Sequence, residues 1–362
     1  MIRRWARRPG QPRWRWFQFA LAIAIIAGSL VASSAMIRRA VKAATVVPVT
    51  LADCRNIKDN FPCYGKYYAQ LTYDAGVEAA FADMQQAYDK DPVVKSQCHQ
   101  LSHIVGRTAY EKYGSLEKAY DQGNNFCWSG FYHGAIEQAA TDMGAERIRK
   151  DASTICENFA KKQQYSFDHF NCVHGLGHGL MAVNAYVLPD ALQNCDALKT
   201  DWEESSCYGG VFMENVMVAA RGDGTSAYFK PDQPLYPCTY VGQRYKEQCY
   251  LMQTSYVLQH NNYDFTQTFL ECAKADKGFE KTCYQSAGRD ASGSTVSDVA
   301  GTVNNCQKAQ NHDALYFCML GADRDFVSYY HGVEKANELC DAFGGDLVSP
   351  CRRDVINYYK DF

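Results

Sequence analysis

The chain has 362 residues, a formal net charge of −3, sixteen cysteines and 25 tyrosines. Without the six arginines among its first sixteen residues the charge falls to −9, which excludes the basic footprint that nucleic-acid binding needs. Sixteen cysteines with no C-x-x-C pair argue against a zinc-ribbon or iron–sulfur protein and for a disulfide framework made in an oxidising compartment.

Residues 1–16 carry Arg3, Arg4, Arg7, Arg8, Arg13 and Arg15 with no acid, and read as a cytoplasmic basic segment. Residues 17–37 follow as a transmembrane signal-anchor, with twenty residues (17–36) free of charge. This run is longer than a usual signal-peptide core of roughly 7 to 15 residues, which favours a retained single-pass anchor. Cleavage near Ser33-Ser34-Ala35 would instead give a secreted protein. Either route places the rest in the periplasm or outside the cell. Residues 38–52 read as a short stalk, and residues 53–362 as an extracytoplasmic disulfide-rich α-helical repeat domain.

The cysteines of that domain form two interleaved series. Cys63, Cys98, Cys127, Cys172, Cys207, Cys249, Cys283, Cys318 and Cys351 recur at a period near 35 residues. Cys54, Cys156, Cys195, Cys238, Cys272, Cys306 and Cys340 each precede a member of the first series by 9 to 16 residues. Such a period marks helical hairpins that bury their apolar faces only against neighbours. Stretches such as Leu188-Pro-Asp-Ala-Leu192-Gln-Asn-Cys195 read as first helices ending at a cysteine, and the segments after the first series read as second helices. The expected fold is all-α: a disulfide-stapled solenoid of eight to nine helical hairpins with a tetratricopeptide-like period, although the tetratricopeptide residue signature is missing. The expected bridges are Cys54–Cys63, Cys156–Cys172, Cys195–Cys207, Cys238–Cys249, Cys272–Cys283, Cys306–Cys318 and Cys340–Cys351, each stabilising by roughly 3 kcal/mol in the chain-entropy view. Cys98 and Cys127 lack hairpin partners. They either bridge adjacent repeats or remain free thiols beside the histidines described next.

Aligned on the cysteines, the second helices carry small residues at the third position after the cysteine (Gly130, Gly175, Gly210, Ser286, Gly321), which allows close helix approach. Three consecutive second helices also carry His99 and His103, then His133, then His174 and His178. The first and last sets are i,i+4 pairs, the spacing that stacks two imidazoles on one helix face for a transition metal. Counted from its cysteine, His103 is one residue out of step with His133 and His178, about 100° around a helix. Glu137 and Glu214 are candidate ligands or general bases toward metal-bound water. A mixed histidine–carboxylate shell suits zinc, iron or manganese, and an all-histidine shell suits copper or zinc. Arg289-Asp290 and Arg324-Asp325, one repeat apart, read either as an inter-repeat ion-pair ladder or, with Arg107, as a substrate-binding clamp for anionic groups. His169, His260, His312 and His331 read as surface or capping residues.

Three functions fit these residues. One is a metal-dependent hydrolase or oxidoreductase. Another is a non-catalytic solenoid scaffold that binds a protein, peptide or anionic ligand such as a glycan along its concave face. The third is a metal carrier or sensor without turnover.

Overall fold

The computed structural model of the protein describes residues 50–58, 60–124, 126–160, 167–221 and 226–361. The basic segment, the anchor and the stalk up to residue 49 lie outside these residues. The chain divides into two compact units, Met1–Asp53 and Cys54–Phe362. No helix among the described residues is long and apolar enough to cross a membrane.

All regular structure among the described residues is helical. In chain order the α-helices are α1 (Leu51–Arg55), α2 (Phe61–Ala75), α3 (Val77–Tyr88), α4 (Pro92–Tyr113), α5 (Leu116–Tyr120), α6 (Gly130–Ile155), α7 (Glu157–Ala160) and α8 (Phe167–Val183). There follow α9 (Leu188–Cys195), α10 (Asp201–Arg221), α11 (Gln243–His260), α12 (Phe265–Cys272), α13 (Glu280–Gly293), α14 (Val299–Cys306), α15 (His312–Tyr330), α16 (Glu334–Phe343) and α17 (Val348–Asp361). Helices α9, α12 and α14 each span eight residues and end at a cysteine. The long helices α4, α6, α8, α10, α11, α13 and α15 pack each on the next.

Eight disulfides join Cys54–Cys63, Cys98–Cys127, Cys156–Cys172, Cys195–Cys207, Cys238–Cys249, Cys272–Cys283, Cys306–Cys318 and Cys340–Cys351. No cysteine among the described residues is free. The framework indicates an oxidising, extracytoplasmic environment. Most first-series cysteines stand one or two turns inside their helix rather than at its start. Cys249, for example, lies in the second turn of α11. Cys127 is the exception: with Trp128 and Ser129 it forms a left-handed run, with φ of 63°, 54° and 59°, before α6 begins.

A corner recurs where one hairpin passes to the next. Ala185-Tyr186, Asn262-Tyr263 and Val296-Ser297 each place two residues at positive φ just after α8, α11 and α13. The second residue of each pair donates its backbone N–H five residues back: Tyr186 to Met181 at 2.9 Å, Tyr263 to Leu258 at 2.6 Å and Ser297 to Ser292 at 2.9 Å. These bonds satisfy carbonyls that a helix end would otherwise leave unpaired, and turn the chain into the next short helix. Asp264 and Asp298 then cap α12 and α14 by accepting main-chain N–H bonds.

The succession of helices curls back on itself. Trp128, ahead of α6, lies against Tyr329 of α15 with ring centroids 5.0 Å apart. The indole also lies close enough to the Asp325 carboxylate on that helix to favour its ionised form. An open ribbon in which each hairpin touches only its neighbours would keep these residues apart.

Small residues set the spacing of the helices nearest the histidines. A Cβ built on Gly134 of α6 would clash with the His103 carbonyl of α4, and one on Gly106 would clash with the Phe131 carbonyl. Gly177 and Gly210 are related in the same way across α8 and α10, against the carbonyls of Cys207 and His174. Gly134→Val should therefore force α4 and α6 apart, costing about 1–3 kcal/mol. Urea unfolding of this variant checks the cost, and a stability equal to wild type would refute the close contact.

Candidate metal centre

Four adjacent helices supply the site. Helix α4 begins at Pro92 behind an Asp91 cap and ends at Gly114, so His99, His103 and Arg107 fall at i, i+4 and i+8 on one face. Helix α6 contributes His133 and, one turn on, Glu137; α8 contributes His174 and His178; α10 contributes Glu214. Side chains of His103, His133, His174, His178, Glu137 and Glu214 are all buried, and His99 is half-buried. The centroids of His133 lie 5.5 Å from His99, 5.5 Å from His103, 5.0 Å from His174 and 5.1 Å from His178. The five rings thus form one cluster with His133 at its centre. The one-residue offset of His103 does not separate it from the others: its ring lies 5.5 Å from His133 and 5.7 Å from His178. Against His133 the offset reflects a different helical phase, because Cys98 lies inside α4 whereas Cys127 precedes α6.

The outward nitrogens are occupied. His99 Nδ1 donates to the Cys127 carbonyl at 2.9 Å. His103 Nδ1 donates to Glu137 Oε1 at 3.0 Å, and His178 Nδ1 lies 3.0 Å from Glu214 Oε2 and 3.6 Å from Glu137 Oε1. The His174 ring lies close to the backbone of Ser206, which opposes in part the lowering of its pKa by burial. Buried without any hydrogen-bond partner are the Nε2 atoms of His174 and His178 and both ring nitrogens of His133. The Nε2 atoms of His99 and His103 face each other at 3.1 Å.

Burial governs the charge of this cluster. It lowers the pKa of His99 to about 3, with the neighbouring His103 adding to the effect. Burial also lowers His103, His133 and His174, and mutual repulsion among the rings depresses His133 further. Glu137 shows the opposite balance. Burial would raise its pKa, but the His103 ring and the Arg107 guanidinium hold it well below the ordinary carboxylate range. Arg107 reaches Oε2 of Glu137 with Nη2 at 2.6 Å and Nε at 3.0 Å. At neutral pH burial therefore keeps the His99, His103, His133 and His174 rings neutral beside an ionised Glu137.

Three overlapping groups could hold a metal ion: His99, His103 and His133; His133, His174 and His178; and Glu137, His178 and Glu214. Within each group the ligand atoms lie within 4.8 Å of one another. A fourth group, Asp323 with Cys340 and Cys351, offers sulfurs already joined in a disulfide.

The arginine–aspartate pairs are engaged elsewhere. Arg289 donates to Asp290 at 2.8 Å and to the Leu251 carbonyl and Ser255 Oγ of α11 at 2.7 and 2.8 Å. Asp290 accepts from Thr254 at 2.6 Å, also on α11. Arg324 pairs with Asp354 of α17 at 2.7 and 2.9 Å, and Asp325 accepts from Ser292 of α13 at 2.5 Å. Apart from the Arg289–Asp290 bond within α13, these bonds tie neighbouring helices together.

His169 departs from the surface role expected of it: it is buried in the first turn of α8 and bonded to Glu203 at 3.1 Å. Beside it, Phe170 is exposed and stacks on His174 with centroids 5.4 Å apart. Sequence reasoning also passed over the Cys127 carbonyl, since a main-chain acceptor leaves no trace in residue type. No protein-family model, curated protein or solved structure matches the chain.

Proposed function

We propose that the protein is a membrane-anchored, extracytoplasmic solenoid of disulfide-stapled hairpins whose N-terminal repeats hold a transition-metal centre, and that it acts as a metal-dependent enzyme. His99, His103, His133, His174 and His178 are the ligands. The observation that carries this reading is the 3.1 Å separation of His99 Nε2 and His103 Nε2. A carbonyl and a carboxylate can only accept, so both Nδ1 atoms must carry their protons and both Nε2 atoms present lone pairs to each other. A shared proton would relieve the repulsion, but burial opposes protonation of both rings. A metal ion between them relieves it without a charged imidazolium.

Glu137 and Glu214 sit on the Nδ1 side of their histidines. That arrangement suits carboxylates that orient and polarise imidazole ligands, a role known to tune metal affinity. With the carboxylates on the outside, the inner shell is all imidazole, and copper or zinc fits it better than iron or manganese. Zinc would make the centre hydrolytic and copper oxidative.

The test is elemental analysis of the exported domain purified without chelators, for wild type and for the His174→Ala, His178→Ala double variant. Wild type is expected to carry stoichiometric copper or zinc, and the variant to lose most of it while keeping its helical circular dichroism. If wild type takes up no transition metal even after reconstitution, the metal-centre reading fails.

A further inference from the structure

His133 differs from the other four histidines in one respect. His99, His103 and His178 each commit one ring nitrogen to a hydrogen bond outside the cluster, leaving a single nitrogen for an ion, and His174 has one buried unpartnered nitrogen, Nε2. His133 commits neither: Nδ1 and Nε2 are both buried and without a partner. A neutral imidazole always has one N–H, and leaving it buried without an acceptor is unfavourable. No other helix supplies His133 with an acceptor, as α10 does for His178 with Glu214. The ring also belongs to two ligand groups, one completed by His99 and His103 of α4 and the other by His174 and His178 of α8.

We propose that the centre is dinuclear and that His133 bridges it, ligating one ion together with His99 and His103 and a second together with His174 and His178. The two nitrogens lie on different edges of the ring, and the two histidine pairs come from the helices that flank α6 on either side. Binding of the first ion uses the lone pair of the neutral ring. Binding of the second displaces the remaining ring proton to solvent, and the imidazolate so formed ligates through both nitrogens. No electron transfer is involved in assembly. The ionised Glu137, hydrogen-bonded to His103 and within 3.6 Å of His178, lies behind ligands of both ions and offsets part of their added positive charge.

This proposal rests on the metal-centre reading but fails separately from it. The exported domain is loaded with copper(II) under air, bound copper is counted by elemental analysis, and unpaired spins are counted by low-temperature electron paramagnetic resonance. Two copper(II) ions joined by an imidazolate couple antiferromagnetically. Wild type is therefore expected to hold two ions per chain with a spin count per copper well below one. His133→Gln, checked for native helicity, is expected to bind less copper and to show one full spin for each ion that remains. One ion per chain, or two ions with a full spin each in wild type, would overturn the bridge and leave a mononuclear or uncoupled centre. No bound copper or zinc at all would overturn the metal centre itself.

Discussion

Glu137→Ala is expected to weaken metal binding by about 10–100-fold and to destabilise the apo domain by about 2–3 kcal/mol. The carboxylate is the meeting point of three side chains from two flanking helices: His103 Nδ1 at 3.0 Å, Arg107 Nη2 at 2.6 Å and His178 Nδ1 at 3.6 Å. Its removal leaves the buried N–H of His103 without an acceptor and frees that ring to change tautomer. Breaking a wholly buried ion pair costs about 3–5 kcal/mol, but the Arg107 side chain is 43% exposed and can turn to water, which brings the figure down. Glu137→Gln keeps the volume and one acceptor oxygen while losing the charge, so its effects should be intermediate. Urea unfolding of the apo variants and competitive metal titration give the two numbers. Wild-type metal affinity in Glu137→Ala would show that the carboxylate does not orient His103.

Full reduction of the eight disulfides is expected to unfold the domain at neutral pH and room temperature. Seven bridges close loops with separations of 9 to 16 residues, and Cys98–Cys127 closes one of 29. At roughly 3 kcal/mol each, even half of this stabilisation, about 12 kcal/mol, is comparable to the 5–15 kcal/mol by which folded domains usually outweigh their unfolded chains. The hairpins have little else to replace it, since first helices of eight residues are too short to persist alone. The order of reduction should be uneven. Every bridged sulfur belongs to a buried residue except that of Cys63, so Cys54–Cys63 should react first. Far-UV circular dichroism during reduction, with alkylation mapping of the released thiols, follows both effects. Retention of the native helical signal after all sixteen cysteines are alkylated would contradict the expectation.

Stapling and metal binding meet at one bridge. Cys98–Cys127 joins α4 to the left-handed run before α6, and the Cys127 carbonyl is the acceptor that fixes the His99 tautomer. The bridge whose carbonyl anchors His99 of the candidate metal centre is thus also the one that departs from the 9-to-16-residue spacing of the others.

The sequence by itself carried an all-helical, disulfide-stapled fold and the oxidising compartment. A short staple between a helix end and the next helix is a local constraint, with Cα atoms of the bridged cysteines 5.3 to 5.8 Å apart, so it leaves a regular trace in the chain. The i,i+4 histidine pairs were legible for the same reason: helical spacing alone puts both rings on one face. Tertiary structure decided the rest. Whether the three histidine-bearing helices converge depends on the glycine contacts Gly106–Gly134 and Gly177–Gly210, which act between helices. Which nitrogen of each ring faces inward depends on acceptors contributed by other elements, among them a main-chain carbonyl and two carboxylates. The curl that seats Trp128 on Tyr329 joins parts of the chain far apart in sequence. Cysteine spacing records local constraints between successive helices, and it is silent on contacts between helices far apart in the chain.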